Sequence, residues 1–354
     1  MSTDFTMRKK TKKIRVGDIF IGGDSPISIQ SMTNTDTRDV QGTINQIKRL
    51  EECGCDIARV AVVDRESAEA ISKIKKEIKI PLVADIHFNY QLAIESIKNG
   101  VDKVRLNPGN LGDMEKIRVI ASLAKEREVP IRIGVNSGSV DKEIISKYNG
   151  VTSDGLVESA ISYANKLEYF GFDNILYSIK ASSVPMTIQA YRKIAESTQY
   201  PLHIGITEAG TPSTGRMKAA IAIGTLLSEG IGDTLRVSLT GDHVEEVIAG
   251  KEILRALEIR KEGVEFISCP TCGRCQVKLI DIANEVETRL KDINKNIKVA
   301  VMGCAVNGPG EAKEADIGIA GGKNEFLLFK KGEVFGKFSE NKIVDVLLNE
   351  IRKV

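Results

Sequence analysis

Short β-branched apolar runs alternate with amphipathic helical stretches through residues 1–260. The runs predict strands at Ile27–Met32, Ile57–Ala61, Leu82–Asp85, Lys103–Leu106, Ile131–Gly134, Ile175–Ile179, Leu202–Ile206 and Thr234–Val237. Between them, TINQIKRLEECG, AEAISKIKKEI, YQLAIESIKNG and LVESAISYANKLEYFG place apolar residues at helical spacing. Several end in the glycine that commonly stops a helix. Eight βα units of this length predict an α/β fold, a (β/α)8 TIM-type barrel rather than an open doubly wound sheet. The segment IRVGDIFIGG reads as a short hairpin ahead of the first barrel strand, placed to cap the barrel bottom.

Around EIRKEGVE the pattern changes. Residues 261–354 read as a smaller α+β domain: strand, helix (VKLIDIANEVETRLKDI), strand (KVAVM), a glycine-rich loop, strands in IGIA and FLLFKKGEVFGKF, and a closing helix, NKIVDVLLNEIRK.

The 354 residues suffice for about two domains, and 42% hydrophobic with 28% charged residues reads as an ordinary soluble protein. A net charge of +2 gives no reason to expect nucleic-acid binding. The one basic run, Arg8 to Arg15, reads as a solvated arm. With neither a membrane-length apolar run nor a signal peptide, the expected compartment is the cytoplasm. There the six cysteines are better read as metal ligands or buried thiols than as disulfides. Cys53 and Cys55, at a helix-to-strand junction, read as packing residues.

Four cysteines fall in the second domain. Cys269 and Cys272 form a C-x2-C pair in SCPTCGRC, and Cys304 precedes Glu311 in MGCAVNGPGE. The pair gives two thiolates converging on one metal centre, with a third soft ligand at long range and a non-cysteine position left for exchange. The absence of a second C-x2-C favours a three-cysteine iron–sulfur cluster over a closed zinc ribbon, though zinc stays open on pattern alone. Cys275 complicates the set, since C-x2-C-x2-C also occurs in ferredoxin-like runs; its expected place is the opening of the following helix.

In a barrel, the C-terminal strand ends form the active face. They deliver Gln30, Ser31, Thr33, Asn34, Arg59, Asp85, His87, Arg105, Asn107, Arg132, Asn136, Lys180, Thr207, Glu208, Arg236 and Ser238. Five cations on five strands are too many for the two acids there, Asp85 and Glu208, to neutralise, so a polyanion, a diphosphate above all, is the expected ligand. Glu208, and His87 beside Asp85, are the acid–base candidates, while His203 and His243 read as structural.

Taken together, SMTNTDT, ADIHF, RLNPGN, RIGVNSGS, SIKAS, ITEAG, RVSLTGD, ISCPTCGR and VMGCAVNGPGE resemble, in order and along essentially the whole chain, the bacterial 4-hydroxy-3-methylbut-2-enyl diphosphate synthase family. The resemblance implies reductive ring opening of 2-C-methyl-D-erythritol 2,4-cyclodiphosphate in the methylerythritol phosphate route to isoprenoids. It implies diphosphate binding by Arg59, Arg105, Arg132, Asn136, Lys180, Arg236 and Ser238, and a proton-handling role for Glu208. It also implies a [4Fe-4S] cluster on Cys269, Cys272, Cys304 and Glu311, a flavodoxin or ferredoxin donor, and a homodimer whose active site is shared between subunits. Cys275 departs from the family, where Thr is common. The competing readings are a zinc-bearing, non-redox barrel enzyme resembling pterin-binding synthases, and a non-enzymatic electron carrier.

Overall fold

The computed structural model describes residues 8–87, 89–107, 114–261, 263–290, 293, 295–304, 313–323 and 325–353. The chain forms two compact units, Met1–Leu257 and Glu258–Val354.

The first unit opens with an antiparallel hairpin, β1 (Ile14–Val16) and β2 (Ile19–Ile21), in which Ile14 faces Ile21. Strands and helices then alternate: β3 (Ser28–Met32), α1 (Val40–Glu52), β4 (Ile57–Ala61), α2 (Arg65–Lys75), β5 (Leu82–Ile86), α3 (Tyr90–Lys98) and β6 (Lys103–Leu106). There follow α4 (Met114–Glu126), β7 (Ile131–Asn136), α5 (Lys142–Lys147), α6 (Ser153–Tyr169), β8 (Ile175–Lys180) and α7 (Val184–Ser197). The unit ends with β9 (His203–Ile204), α8 (Pro212–Ser228), β10 (Thr234–Leu235) and α9 (His243–Ala256). Strands β3 to β10 make one parallel sheet in the order β8-β7-β6-β5-β4-β3-β10-β9, and a parallel bridge between Tyr177 and Leu202 joins its two ends. This is the (β/α)8 barrel the pattern predicted, with one extra short helix, α5, between β7 and α6.

Polar residues start the helices where the pattern changes period. Asp39, Asp64, Asn89, Thr152, Ser183 and Asp242 each accept a hydrogen bond from a first-turn amide. Asp64 and Ser67 complete a reciprocal capping box.

The hairpin plugs the barrel floor. Ile14, Val16 and Ile21 form one buried cluster with Ile57, Val83 and Leu176, residues of β4, β5 and β8. The basic segment beside it is not the solvated arm that its charge suggested. The Lys9 amide donates to Gly230 O at 2.9 Å and the Lys12 amide to Gln199 O at 2.7 Å. Thr11 Oγ1 donates to Asp233 at 2.8 Å, Arg8 lies 3.8 Å from the same carboxylate, and Lys12 and Lys13 pair with Asp173 and Asp24. Backbone bonds dock the segment, while Lys10, Lys12, Lys13 and Arg15 keep their charged ends exposed.

The second unit is a five-stranded sheet in the order β11 (Val264–Ser268), β12 (Ile297–Met302), β13 (Ile317–Gly321), β14 (Phe326–Lys330) and β15 (Glu333–Phe338). The first three strands are parallel and the last two antiparallel, so the unit is mixed α+β. Helices α10 (Leu279–Leu290) and α11 (Glu340–Lys353) pack on one face, where Leu279, Val286, Ile343 and Leu347 meet Val299, Val301, Ile317 and Ile319. Alternation along β12 sends Ala300 and Met302 to the other face, against Ala320 and Phe329. Among the described residues, no helix is long and apolar enough to cross a membrane.

Candidate functional site

Strand alternation turns Arg59, Asp85, Arg105, Arg132 and Lys180 into the barrel above its apolar floor. Arg105 pairs in register with Asp85 on one side and Arg132 on the other, and Asn136 pairs with Lys180. Asp85, Arg105 and Lys180 are 4, 4 and 6% exposed and Arg132 only 1%. Arg59 and Arg236 are nearly buried. Two glycines make room for this crowd. A Cβ on Gly134 would lie 2.2 Å from Arg105 Nε, and one on Gly205 would lie 2.8 Å from Lys180 Nζ.

Two buried acids hold three of the cations. Asp85 lies 3.1 Å from Arg105 Nη1, 3.9 Å from Arg59 Nε and 3.3 Å from His87 Nε2. Burial alone would push this carboxyl up; Arg59, the His87 contact and Arg105 outweigh it and hold the group well below the usual carboxylate range. Arg105 Nη1 also lies 3.1 Å from His87 Nε2, and its Nη2 donates to Gly134 O at 2.8 Å. One ring nitrogen of His87 thus faces both an acceptor and a donor, and the tautomer decides which of the two contacts is a hydrogen bond.

The second acid, Glu246, was missed by the strand-end inventory because it comes from α9. It is 1% exposed, accepts from Arg236 Nε and Nη2 at 3.1 Å each, and also binds Ser31 Oγ at 2.8 Å and the Leu239 amide at 3.0 Å. The available signal was its place one helical turn after the Asp242 cap, on the inward face of the last barrel helix.

Arg132 and Lys180 have no such partner. Among the described residues, no carboxylate lies within salt-bridge reach of either; Arg132 has one long bond, 3.4 Å, to Gln30 Oε1. Burial first and the other cations second push both well below their usual values, and burial pulls Arg59 down to about 10 despite Asp85. Met32 Sδ takes Arg59 Nε and Nη2 at 3.1 and 2.9 Å, a soft acceptor where a carboxylate would otherwise serve. His203, read as structural, is fully buried in the same interior, where Arg132, Lys180 and Lys103 act on it.

Gln30, Ser31, Thr33 and Asn107 are buried as well, while three other mouth residues are more open. Asn136 and Ser238 are half-buried, and Glu208 is exposed with φ of +54°, a left-handed conformation. Such a backbone costs a non-glycine residue about 1–2 kcal/mol and recurs at functional positions. A cleft of about 770 Å³ lies at the opposite, strand-start end of the barrel, with mixed charges from Lys12, Lys98, Asp102, Lys125 and Glu128, and it contains none of these residues.

In the second unit, Cys269 follows β11 and Cys304 follows the neighbouring parallel strand β12. The Cys269 amide donates to Val301 O at 3.3 Å, and the Gly303 amide donates to Cys269 Sγ at 3.1 Å. Cys272 is exposed, and Glu311 lies outside the described residues. No three acidic, His or Cys side chains converge at metal-binding distance among the described residues. Cys275 does not open α10, which starts four residues later at Leu279. Its thiol donates to Val277 O at 3.3 Å and packs against Gly303, where a Cβ would sit 2.9 Å from the sulfur. Cys55 is buried among the carbonyls of Ile29 and Ile57, and burial pushes its thiol up to about 12, as suits a packing residue.

Comparison with solved structures finds the barrel of a dihydropteroate synthase from Stenotrophomonas maltophilia at a TM-score of 0.52 and 13% identity, covering 70% of this chain and 98% of that one. That likeness concerns the fold alone. Sequence comparison goes further. The GcpE TIM-barrel domain matches residues 11–251 and the GcpE protein C-terminal domain residues 265–353. A protein named 4-hydroxy-3-methylbut-2-en-1-yl diphosphate synthase (flavodoxin) from Ruminiclostridium cellulolyticum is 64% identical over 99% of both chains. Proteins of the same name from Clostridium tetani and Geobacter sulfurreducens are 60 and 54% identical, each over 98% of this chain and 99% of theirs. With both of its units matched and full-length similarity to enzymes of one name, this chain belongs to the GcpE family of diphosphate synthases.

Proposed function

We propose that this chain reduces 2-C-methyl-D-erythritol 2,4-cyclodiphosphate to 4-hydroxy-3-methylbut-2-enyl diphosphate in isoprenoid precursor biosynthesis, in the cytoplasm. The observation that carries the proposal is a surplus of buried cations. Asp85 and Glu246 are committed to Arg59, Arg105 and Arg236, and among the described residues Arg132 and Lys180 are left without a carboxylate. Burying an unpaired guanidinium costs several kcal/mol, so the arrangement is favourable only when an anion of more than one charge arrives. Guanidinium forks match phosphoryl oxygens, and the relatives' names specify a diphosphate product.

In this reading Arg59, Arg105, Arg132, Lys180 and Arg236 fix the two phosphoryl groups, with Asn136 and Ser238 as neutral donors at the rim. Fixing both ends of the diphosphate orients the carbon skeleton toward the open mouth. Opening the ring breaks a C–O bond, and the diphosphate stays on the product as the internal leaving group. Two electrons and a proton are consumed, and the hydroxyl departs as water. In this reading Glu208, exposed at the rim in its left-handed turn, protonates that hydroxyl. Asp85 and His87 form the second proton-handling pair.

The thiols of Cys269, Cys272 and Cys304, on a pair of adjacent strand ends and the loop between them, fit a [4Fe-4S] group, with Glu311 as the fourth ligand by similarity of motif. When bound, that group supplies electrons one at a time. A flavodoxin as donor follows the relatives' names, and a homodimer follows the family resemblance.

The test is anaerobic turnover of the cyclic diphosphate with reduced flavodoxin. Glu208→Gln is expected to abolish product while leaving bound iron and sulfide unchanged. Undiminished turnover would remove Glu208 from the mechanism, and wild-type enzyme that makes no product would remove the proposed reaction. Beyond barrel likeness, nothing favours the zinc-bearing reading.

A further inference from the structure

One cation in the barrel has no part in the site above. Lys103 lies two residues before Arg105 on β6, so alternation turns both side chains inward. It is 0% exposed, and among the described residues its Nζ has no hydrogen-bond partner. Gln30 Nε2, Arg132 Nε and His203 Nε2, from β3, β7 and β9, are likewise buried without a partner. Among the described residues the Ser28 hydroxyl on β3 is buried without a partner too, and no carboxylate pairs with Lys103.

The charges that act on Lys103 are Arg132 from β7 and Arg59 from β4, both positive, and Asp102 from its own strand end. Asp102 is adjacent in sequence, hence on the opposite face, and its carboxylate already accepts from the Leu82 amide at 2.7 Å and pairs with Lys75. His203 on β9 also faces Lys103 and brings no negative charge. An ammonium here would be a desolvated charge among like charges with no acceptor. Burial first, then Arg132 and Arg59, push this amine well below lysine's ordinary value.

A diphosphate seated on Arg132, Arg59 and Lys180 reverses the sign of the field that reaches Lys103. We propose that Lys103 is a neutral amine in the free enzyme and takes up a proton when a diphosphate occupies the barrel. The inference rests on the diphosphate reading above. The proton adds to the Nζ lone pair, forming one N–H bond, and the bond that breaks is the one that held it in the buffer acid, which is left as its conjugate base. Lys103 touches no substrate, so its role is to add one positive charge beneath the ligand only when the ligand is there. The free barrel avoids that charge, and the complex gains it.

Calorimetric titration of the holoenzyme with inorganic pyrophosphate, in buffers of different ionisation enthalpy, counts the protons exchanged. Wild type is expected to take up about one proton more per site than Lys103→Met or Lys103→Gln. His203→Asn is expected to keep the wild-type count. Equal counts in wild type and the Lys103 variants, or a loss confined to His203→Asn, would overturn the inference and leave the diphosphate reading standing. Absence of pyrophosphate binding would fell that reading itself. Should neither Lys103 variant fold, wild type titrated with the cyclic diphosphate, whose oxygens are already ionised near neutral pH, serves instead. Net uptake of a proton supports the assignment there, and none refutes it.

Discussion

Glu246 grips Arg236 with both carboxylate oxygens, at 3.1 Å to Nε and 3.1 Å to Nη2, from a helix rather than from a strand end. The same carboxylate ties down Ser31 and the Leu239 amide, so one side chain fixes β3, β10 and the start of α9. Glu246→Ala should therefore cost about 3–5 kcal/mol, the usual penalty for orphaning a buried charge. Urea denaturation of the barrel measures it, and saturating pyrophosphate should narrow the gap to wild type. An unchanged midpoint would show that Arg236 does not depend on this partner.

Asp85 predicts a specific acid response. Its folded-state carboxyl is depressed, so its stabilising contribution is complete above the unfolded-state value of about 4 and is lost as pH falls below it. Asp85→Asn should lower stability at neutral pH and flatten its decline below about pH 4. Parallel wild-type and variant curves across that range would contradict the assignment.

For Arg132 and Lys180, binding and stability should move in opposite directions. Each is buried with no carboxylate in reach among the described residues, so Arg132→Met or Lys180→Met should leave the free enzyme as stable or more so. The same changes should weaken pyrophosphate binding by about 10- to 100-fold, the worth of a charged hydrogen bond. Thermal unfolding with and without pyrophosphate reads both quantities. A variant that loses stability but binds normally would mean these cations are structural.

The thiols separate by role. Cys269→Ser, Cys272→Ser and Cys304→Ser are each expected to lower bound iron and sulfide sharply after anaerobic purification. Cys275→Thr is expected to keep both, since the Cys275 thiol is turned to the Val277 carbonyl and the domain core. Iron loss in Cys275→Thr would make it a ligand.

The barrel was readable because the strands are short β-branched runs and most of the helices between them are punctuated by a polar cap or a glycine. The inward parity of Arg59, Arg105 and Arg132 was readable for the same reason. Glu246 was not, because a helix presents an acid every turn and only packing shows which one points inward. The docking of the basic segment was not legible because the partners of Arg8, Lys9 and Lys12, among them Asp233, Gly230 and Gln199, lie 187 to 225 residues away in sequence. The context of His203 was hidden for a related reason. Its unfavourable neighbours come from other strands, and one sequence shows no distances. Cys275 looked like the start of a helix because the apolar period begins at Val277, two residues before the backbone closes its first turn.

The hairpin that seals the barrel base with Ile14, Val16 and Ile21 makes the interior a blind-ended well. Whatever enters over the rim must leave over the same rim, so an outgoing product and the next incoming molecule contend for a single passage. Turnover in such a vessel proceeds strictly one guest at a time, and a slow exit would throttle the cycle however fast the bond breaking became.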